Sequence, residues 1–186
     1  LLKKQYRYCL WLEGKEKETW SKYEEIRRRV ERCKEFRLSS NKTATQMKAV
    51  IPHLFDERKH KDSQSLIFPI ITSEKRKYIP IGFLSSDTVI SNKGQAVYNA
   101  VPWIFGLLTS RMHNVWVQSV SGRMETRIQY SNTLCYNTFP FPSISDQRKE
   151  EITQCVFRIL EERERPSEKT LAPLSDPDTK PAGQRE

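Results

Sequence analysis

The stretch SLIFPIITSEKRKYIPIGFL, residues 65–84, decides which fold the sequence predicts. It holds two apolar runs, Ser65 to Ile71 and Tyr78 to Leu84, whose length and β-branched and aromatic content are typical of strands. A polar, basic turn lies between them. Each run contains one proline, which cannot donate a hydrogen bond to a neighbouring strand. We therefore expect two edge or bulged strands of a small sheet.

Outward from this stretch, the sequence predicts three helices and two further strands. Apolar residues at spacings of three and four are typical of amphipathic helices, and alternation with a period of two is typical of strands. The helices are expected over 20–33, 102–121 and 146–165, and the strands over 6–12 and 124–130. The predicted fold class is α+β: a small mixed, partly antiparallel sheet flanked by helices, with a C-terminal helical extension.

Composition indicates a single basic domain with a modest core. The chain has 186 residues, 37% of them hydrophobic, and a net charge of +9 with a pI of about 9.4. Residues 1–65, 66–143 and 144–186 carry net charges of +7, +4 and −2. Such a surplus favours a polyanionic partner. No uncharged run is long and apolar enough for a membrane-spanning helix or a signal peptide.

The cysteines and the missing catalytic motifs narrow the function further. Four widely spaced cysteines without a C-x-x-C pair favour free thiols in the cytoplasm over disulfides or structural zinc. No phosphate-binding loop, dinucleotide-binding loop or methyltransferase Asn-Pro-Pro-Tyr motif occurs. We therefore expect no catalytic and no metal-binding residue. Because the chain opens at Leu1 without Met, in an apolar stretch, we interpret it as part of a longer polypeptide.

One segment carries a specific chemical suggestion: GRMETRIQYS, residues 122–131. In a continuous strand, Glu125, Arg127 and Gln129 would share one face, and Met124 and Ile128 would lie on the other. In the DNA major groove Glu accepts a hydrogen bond from cytosine, Arg donates two to guanine, and Gln pairs with adenine. The alternative is a solvent-facing strand on which Glu125 and Arg127 simply pair with each other.

Several segments together resemble a known family. SEKRKYIPIGF and further segments agree in order and spacing with the MmeI-like single-chain type II restriction-modification enzymes, across roughly residues 5–143. The further segments are ISN (90–92), FGLLTSRMHNVW (105–116), GRM (122–124), YS (130–131) and YNTFP (136–140). The chain resembles the target recognition domain of these enzymes, with the start of their helical C-terminal region.

The resemblance implies a domain division and a set of partners. Residues 1–143 would be the DNA target recognition domain, and 144–186 a helical extension with a poorly ordered, Pro-rich tail. In the family, the same polypeptide carries an adenine-specific DNA methyltransferase that uses S-adenosylmethionine, and a nuclease. The implied partners are double-stranded DNA and that methyltransferase domain. S-adenosylmethionine, and Mg²⁺ for any nuclease, would bind outside this chain, which itself would hold no cofactor.

The resemblance also implies which residues contact DNA. Carried over residue by residue, the base-reading positions fall at Glu125, Arg127, Gln129, Asn92 and Lys93. Glu74 is a further candidate, with a salt bridge to Arg76 as its alternative. Phosphate contacts would suit Lys75, Arg76, Lys77, Arg111 and Arg123. For Arg111 and His113, a plain helix-surface role is equally open.

Two other functions remain as alternatives. Glu57-Arg58-Lys59 has the Glu-x-Lys ending of many metal-dependent nucleases, although a suitable preceding Asp is missing. The chain could also be a scaffold that clamps neighbouring domains, with the mixed-charge face of the helix predicted over 20–33 as its docking surface. The alternatives for that face are a solvated surface and a phosphate-binding surface.

Overall fold

The computed structural model describes residues 7–73 and 75–164. They form two compact units, divided between Lys59 and His60. The α+β class with a C-terminal helix is confirmed. The predicted single sheet is instead two separate three-stranded sheets, and every strand pairing described is antiparallel.

The first unit, up to Lys59, is helical. Its helices are α1 (Lys17–Ser21), α2 (Glu24–Leu38) and α3 (Thr43–Met47), followed by a 3-10 helix over Lys48–Val50. The predicted helix over 20–33 thus starts four residues later and continues to Leu38. Trp20 lies outside it, on α1, and is buried.

Arg37, in the last turn of α2, ties this unit together. Its guanidinium donates hydrogen bonds to the carbonyls of Lys48 at 2.8 Å, Ile51 at 2.9 Å and Leu54 at 2.7 Å. Charge-assisted bonds of this kind are stronger than those between neutral groups. One arginine of the basic helix therefore has a structural role, while the neighbouring cations on the same helix stay exposed: Arg27, Arg28, Arg29 and Arg32.

The strand predicted over 6–12 is wrong for the residues that the structure describes. Residues 7–12 adopt no regular secondary structure. Among the described residues of this unit there is no other strand with which they could pair. Their apolar side chains pack instead without a ladder: Trp11 stacks on Phe55 with ring centroids 5.5 Å apart, and Leu12 is buried.

The described residues of the second unit contain six strands arranged in two sheets. They are β1 (Ser65–Pro69), β2 (Ile71–Thr72), β3 (Gly82–Leu84), β4 (Gly94–Tyr98), β5 (Gly122–Met124) and β6 (Arg127–Gln129). In sheet A, β1 lies between β3 and β4; in sheet B, β6 lies between β2 and β5.

The first apolar run crosses from one sheet to the other. We expected an edge or bulged strand there because of Pro69, but β1 is the central strand of sheet A. Pro69 is tolerated because β3 pairs with β1 only as far as Ile67, so no neighbouring strand lies on the side where an N–H of residue 69 would point. The next residue, Ile70, donates its N–H to the carbonyl of Lys93 at 3.1 Å and accepts from the N–H of Tyr130 at 2.7 Å. The Ile70 main chain therefore joins the two sheets. Of the second run, only Gly82–Leu84 forms a strand, β3; it is an edge strand as predicted, but Pro80 precedes it.

The helix predicted over 102–121 is two helices, α4 (Pro102–Thr109) and α5 (Arg111–Val120). Ser110 breaks it with an extended main chain, φ −67° and ψ 158°, and its hydroxyl accepts a hydrogen bond from the His113 N–H at 3.2 Å. This is N-capping of α5, which serine favours. The break changes which side chains are buried. One continuous helix would place Val115, seven residues after the buried Leu108, on the buried side, but Val115 is 53% exposed.

The last helix, α6 (Asp146–Glu164), packs against α4 at a glycine. A Cβ on Gly106 would lie 2.4 Å from Cγ2 of Ile152 and 3.1 Å from Cγ2 of Val156. Only a residue without a side chain permits this approach. The core around it includes the fully buried Phe105 and Leu108.

No helix in the described ranges combines the length and apolarity that crossing a membrane would require.

Candidate nucleic-acid interface

The segment expected to be one strand over 124–130 is a β-hairpin. β5 and β6 pair antiparallel with Met124 opposite Arg127, which leaves Glu125 and Thr126 as a two-residue loop. Glu125 has a φ of 58°, the positive value that short hairpin loops require at their first loop residue. The continuous strand was wrong because the alternation of two short strands resembles that of one long strand. Glu125 therefore lies at the hairpin tip.

The hairpin belongs to a sheet with one buried and one exposed face. Ile128 and Thr72, paired directly, are 5% and 4% exposed. Arg127 and Gln129 alternate with Ile128 and point to the solvent side, so the structure keeps these two predicted readers together. Paired residues share a face, and we call this exposed side the hairpin face. It comprises Ile71, Gly122, Met124, Arg127 and Gln129.

Two of the candidate readers form an ion pair with each other. Nη2 of Arg127 donates to Oε2 of Glu125 at 2.6 Å, while the side chains remain 45% and 74% exposed. An exposed pair of this kind contributes roughly 0–1 kcal/mol. Either side chain can therefore leave the other for a new partner at small cost.

A second loop lies beside the end of β6. Asn92 and Lys93 form an exposed turn before β4, closed by a hydrogen bond from the Gly94 N–H to the Ser91 carbonyl at 3.0 Å. The Lys93 carbonyl accepts from Ile70, whose own carbonyl accepts from Tyr130, the residue after β6. This pair of hydrogen bonds places the turn next to the hairpin sheet. Five of the six predicted base readers thus lie either on the β5–β6 hairpin or in the Asn92–Lys93 turn, and hydrogen bonds to Ile70 connect the two.

The basic segment between the two apolar runs follows β2. Glu74 lies outside the described residues. Lys75 and Lys77 are exposed, whereas Arg76 is half-buried, and burial lowers its pKa. The Lys77 carbonyl accepts a hydrogen bond from Nδ2 of Asn114 at 2.6 Å.

Asn114 is a positioning residue that sequence reasoning missed. It lies on α5 and is 8% exposed. A buried amide in an otherwise apolar stripe was the available signal, because such a group needs a hydrogen-bond partner.

The other two phosphate candidates have different surroundings. Arg111 is exposed in the first turn of α5. Arg123 is paired with Ile128 and so lies on the opposite side of sheet B from Arg127. Its Nη2 donates to the carbonyl of Gln118 at 3.1 Å. Arg123 is therefore engaged near the end of α5, and sequence reasoning did not foresee this contact.

A buried histidine, His113, contacts the residue that follows β6 of the hairpin sheet. His113 is fully buried, so a helix-surface role is wrong for it. Its Nδ1–H donates to the Leu108 carbonyl at 2.9 Å, which leaves Nε2 to accept from the hydroxyl of Tyr130 at 3.3 Å. Tyr130 directly follows β6. Burial lowers the pKa of His113 and raises the pKa of Tyr130, so both groups are neutral near pH 7.

We expect the burial of His113, which lowers its pKa, to make stability depend on pH. The unfolded chain binds a proton at His113 below a pKa of about 6.5, whereas the folded protein resists protonation to lower pH. Stability is therefore complete above about pH 6.5 and decreases as the pH falls towards the folded-state pKa, by at most about 1.4 kcal/mol per pH unit. Urea unfolding at pH 7 and pH 5 measures this. In His113→Gln, the free energy of unfolding should decrease less between pH 7 and pH 5 than in the wild type. An equal decrease in both proteins would contradict the lowered pKa of His113.

The nuclease alternative finds no support in the placement of its residues. Glu57 and Lys59 are exposed in a segment without regular secondary structure and pair with each other at 3.5 Å. Across the described ranges, no three His, Cys, Asp or Glu side chains converge on a point where they could hold a metal ion.

Comparison with known proteins assigns the family. The family model of the MmeI target recognition domain matches residues 1–143. The chain belongs to this family. The range that matches the MmeI target recognition domain includes the hairpin, the turn at Asn92 and the basic segment.

Two relatives extend the match beyond the MmeI target recognition domain. DNA methyltransferase A of Bacillus subtilis (strain 168) is 39% identical over 175 residues, which is 94% of this chain and 20% of the relative. The solved structure of the type IIL restriction-modification enzyme MmeI in complex with DNA matches with a TM-score of 0.86 and 37% identity, over 94% of this chain and 23% of that one. The chain spans about one-fifth of each relative, and both matches continue into α6.

Proposed function

We propose that this chain recognises a specific sequence in double-stranded DNA by reading base edges in the major groove. The observation that carries the proposal is the hairpin face. Arg127 and Gln129 project from the same side of β6, and the tip of the hairpin, with Arg127 and Glu125, extends beyond β2 as a two-stranded ribbon. The major groove admits a two-stranded β-ribbon, and these three side chains match guanine, adenine and cytosine respectively. Asn92 and Lys93 would read from the adjacent turn, and Glu74 from the segment after β2.

The exposed cations would hold the DNA backbone. Lys75, Lys77 and Arg111 are free to contact phosphates, which position a protein without selecting sequence. Arg76 would contribute from its half-buried position. Arg123 would do so only after giving up its hydrogen bond to Gln118. Because phosphate contacts release counterions, affinity should fall steeply with salt.

The recognised duplex would serve an enzyme in the same polypeptide. The relatives are named as a DNA methyltransferase and a restriction-modification enzyme. We infer that this chain supplies specificity and no chemistry of its own. A cytoplasmic methyltransferase domain of the same polypeptide would transfer the methyl group of S-adenosylmethionine to the amino nitrogen of an adenine extruded from the duplex.

Mapping N6-methyladenine tests this proposal. The full-length polypeptide that contains this chain would be expressed in a host without its own adenine methylation, and genomic adenine methylation would be read at single-base resolution. We expect methylation in one short sequence context. Methylation without a fixed context would overturn sequence recognition, and the absence of methylation would overturn the link to an adenine methyltransferase.

A further inference from the structure

The hairpin face carries two exposed apolar side chains, Ile71 on β2 and Met124 next to the hairpin tip. Met124 is 48% exposed and lies directly opposite Arg127 in the strand register. Its position on the solvent side of sheet B corrects the expectation from a continuous strand, which placed Met124 with Ile128 on the buried side. The hairpin turn reverses the chain and brings Met124 onto the face of Arg127 and Gln129.

The geometry of the sheet places Met124 within reach of a neighbouring base. Paired residues on adjacent strands are about 5 Å apart, and residues two apart on one strand are about 7 Å apart. Met124, Arg127 and Gln129 therefore occupy a patch smaller than the width of the major groove, about 12 Å. A ribbon that brings Arg127 to a base edge brings Met124 to the same groove.

The chemistry of the major groove indicates which group an apolar side chain would contact. The major-groove edges of the bases present hydrogen-bond donors and acceptors, together with one apolar group, the 5-methyl of thymine. Methionine is unbranched and flexible, and it adapts to small apolar targets. The other apolar residue of the hairpin face, Ile71 on β2, is paired with Gln129. Met124 is paired with Arg127, so it is the apolar residue nearer to the hairpin tip.

We propose that Met124 is a specificity-determining residue that recognises the methyl group of a thymine next to the base read by Arg127. This inference rests on the proposed function. It adds an apolar contact to a set of readers that is otherwise polar, and it requires an A·T pair beside the position read by Arg127.

Deoxyuridine substitution isolates this contact, because it removes only the methyl group. The full-length protein would be titrated with its recognition duplex, with a scrambled duplex, and with duplexes in which each thymine of the site is replaced singly by deoxyuridine. For the wild type, one replacement should weaken binding about fourfold, as expected for one buried methyl group. Met124→Ala should bind the thymine duplex about as weakly and lose nothing more with deoxyuridine.

A second methionine provides the matched control. Met112 on α5 is 49% exposed and lies outside sheet B, so Met112→Ala should keep the fourfold methyl effect. A methyl effect that persists in Met124→Ala would overturn the inference, and so would a site in which no thymine methyl matters. If the wild type does not distinguish the recognition duplex from the scrambled one, the proposed function itself fails. That outcome is separate because it appears before any substitution is made.

Discussion

Exchanging Glu125 and Arg127 is expected to reverse the preferred base pair at one position of the recognised site. Arg donates to guanine, whereas Glu accepts from cytosine. The double substitution Glu125→Arg/Arg127→Glu keeps the net charge and permits the same ion pair, but it exchanges donor and acceptor. Since each good contact discriminates by roughly 1–3 kcal/mol, methylation of the original site should fall by about 5- to 150-fold.

The exchange has a matched control on α6. Arg148 and Glu151 are also exposed, and their Nη1–Oε2 distance is 2.6 Å, the same as in the hairpin pair. Arg148→Glu/Glu151→Arg should leave the recognised sequence unchanged. Mapping N6-methyladenine in full-length variants measures both. If the hairpin exchange leaves the sequence context and its efficiency intact, Glu125 and Arg127 are not base readers.

Gly106→Val is expected to lower the free energy of unfolding by about 3 kcal/mol. A single added Cβ would already lie 2.4 Å from Ile152, and valine adds two more carbons. Overpacking of this kind usually costs about 1–3 kcal/mol. The gain in helix propensity over glycine, below about 1 kcal/mol, cannot offset it. Urea unfolding measures the change.

A second glycine on the surface separates packing from chain flexibility. At Gly122 an added Cβ would meet only Oε1 of Gln129, at 3.9 Å, so Gly122→Val should change stability by no more than about 0.5 kcal/mol. Combining Gly106→Ala with Ile152→Ala removes the clashing methyl group. Their combined effect should be smaller than the sum of the single effects, and simple additivity would contradict the close approach of α4 and α6.

Local patterns predicted α6 and the edge position of β3. The main-chain hydrogen bonds of a helix lie within its own segment, so its apolar period identifies α6 although its packing partner α4 is distant in sequence. The break at Ser110 was missed, because serine is tolerated in helices and its capping bond to His113 depends on the chain having already turned. The strand predicted over 6–12 does not form in its described residues, 7–12, because pairing requires a neighbouring strand, which is not a property of the segment.

The resemblance proposes which residues read the bases, but it does not give the shape of the surface that carries them. Only the register between β5 and β6 places Met124 on the side of Arg127. His113 and Asn114 act through buried hydrogen bonds to distant segments. Such contacts join residues 17 and 37 positions apart, so no local pattern reports them.

The affinity ratio between the recognition duplex and a scrambled duplex tests the central claim most directly. For the full-length wild type at fixed salt, we expect a ratio of at least about 10³. In Arg127→Ala/Gln129→Ala the ratio should fall by at least about 30-fold, because two base contacts are lost, while affinity for the scrambled duplex changes little. A ratio unaffected by the double substitution would contradict the claim that this chain reads DNA through its hairpin face.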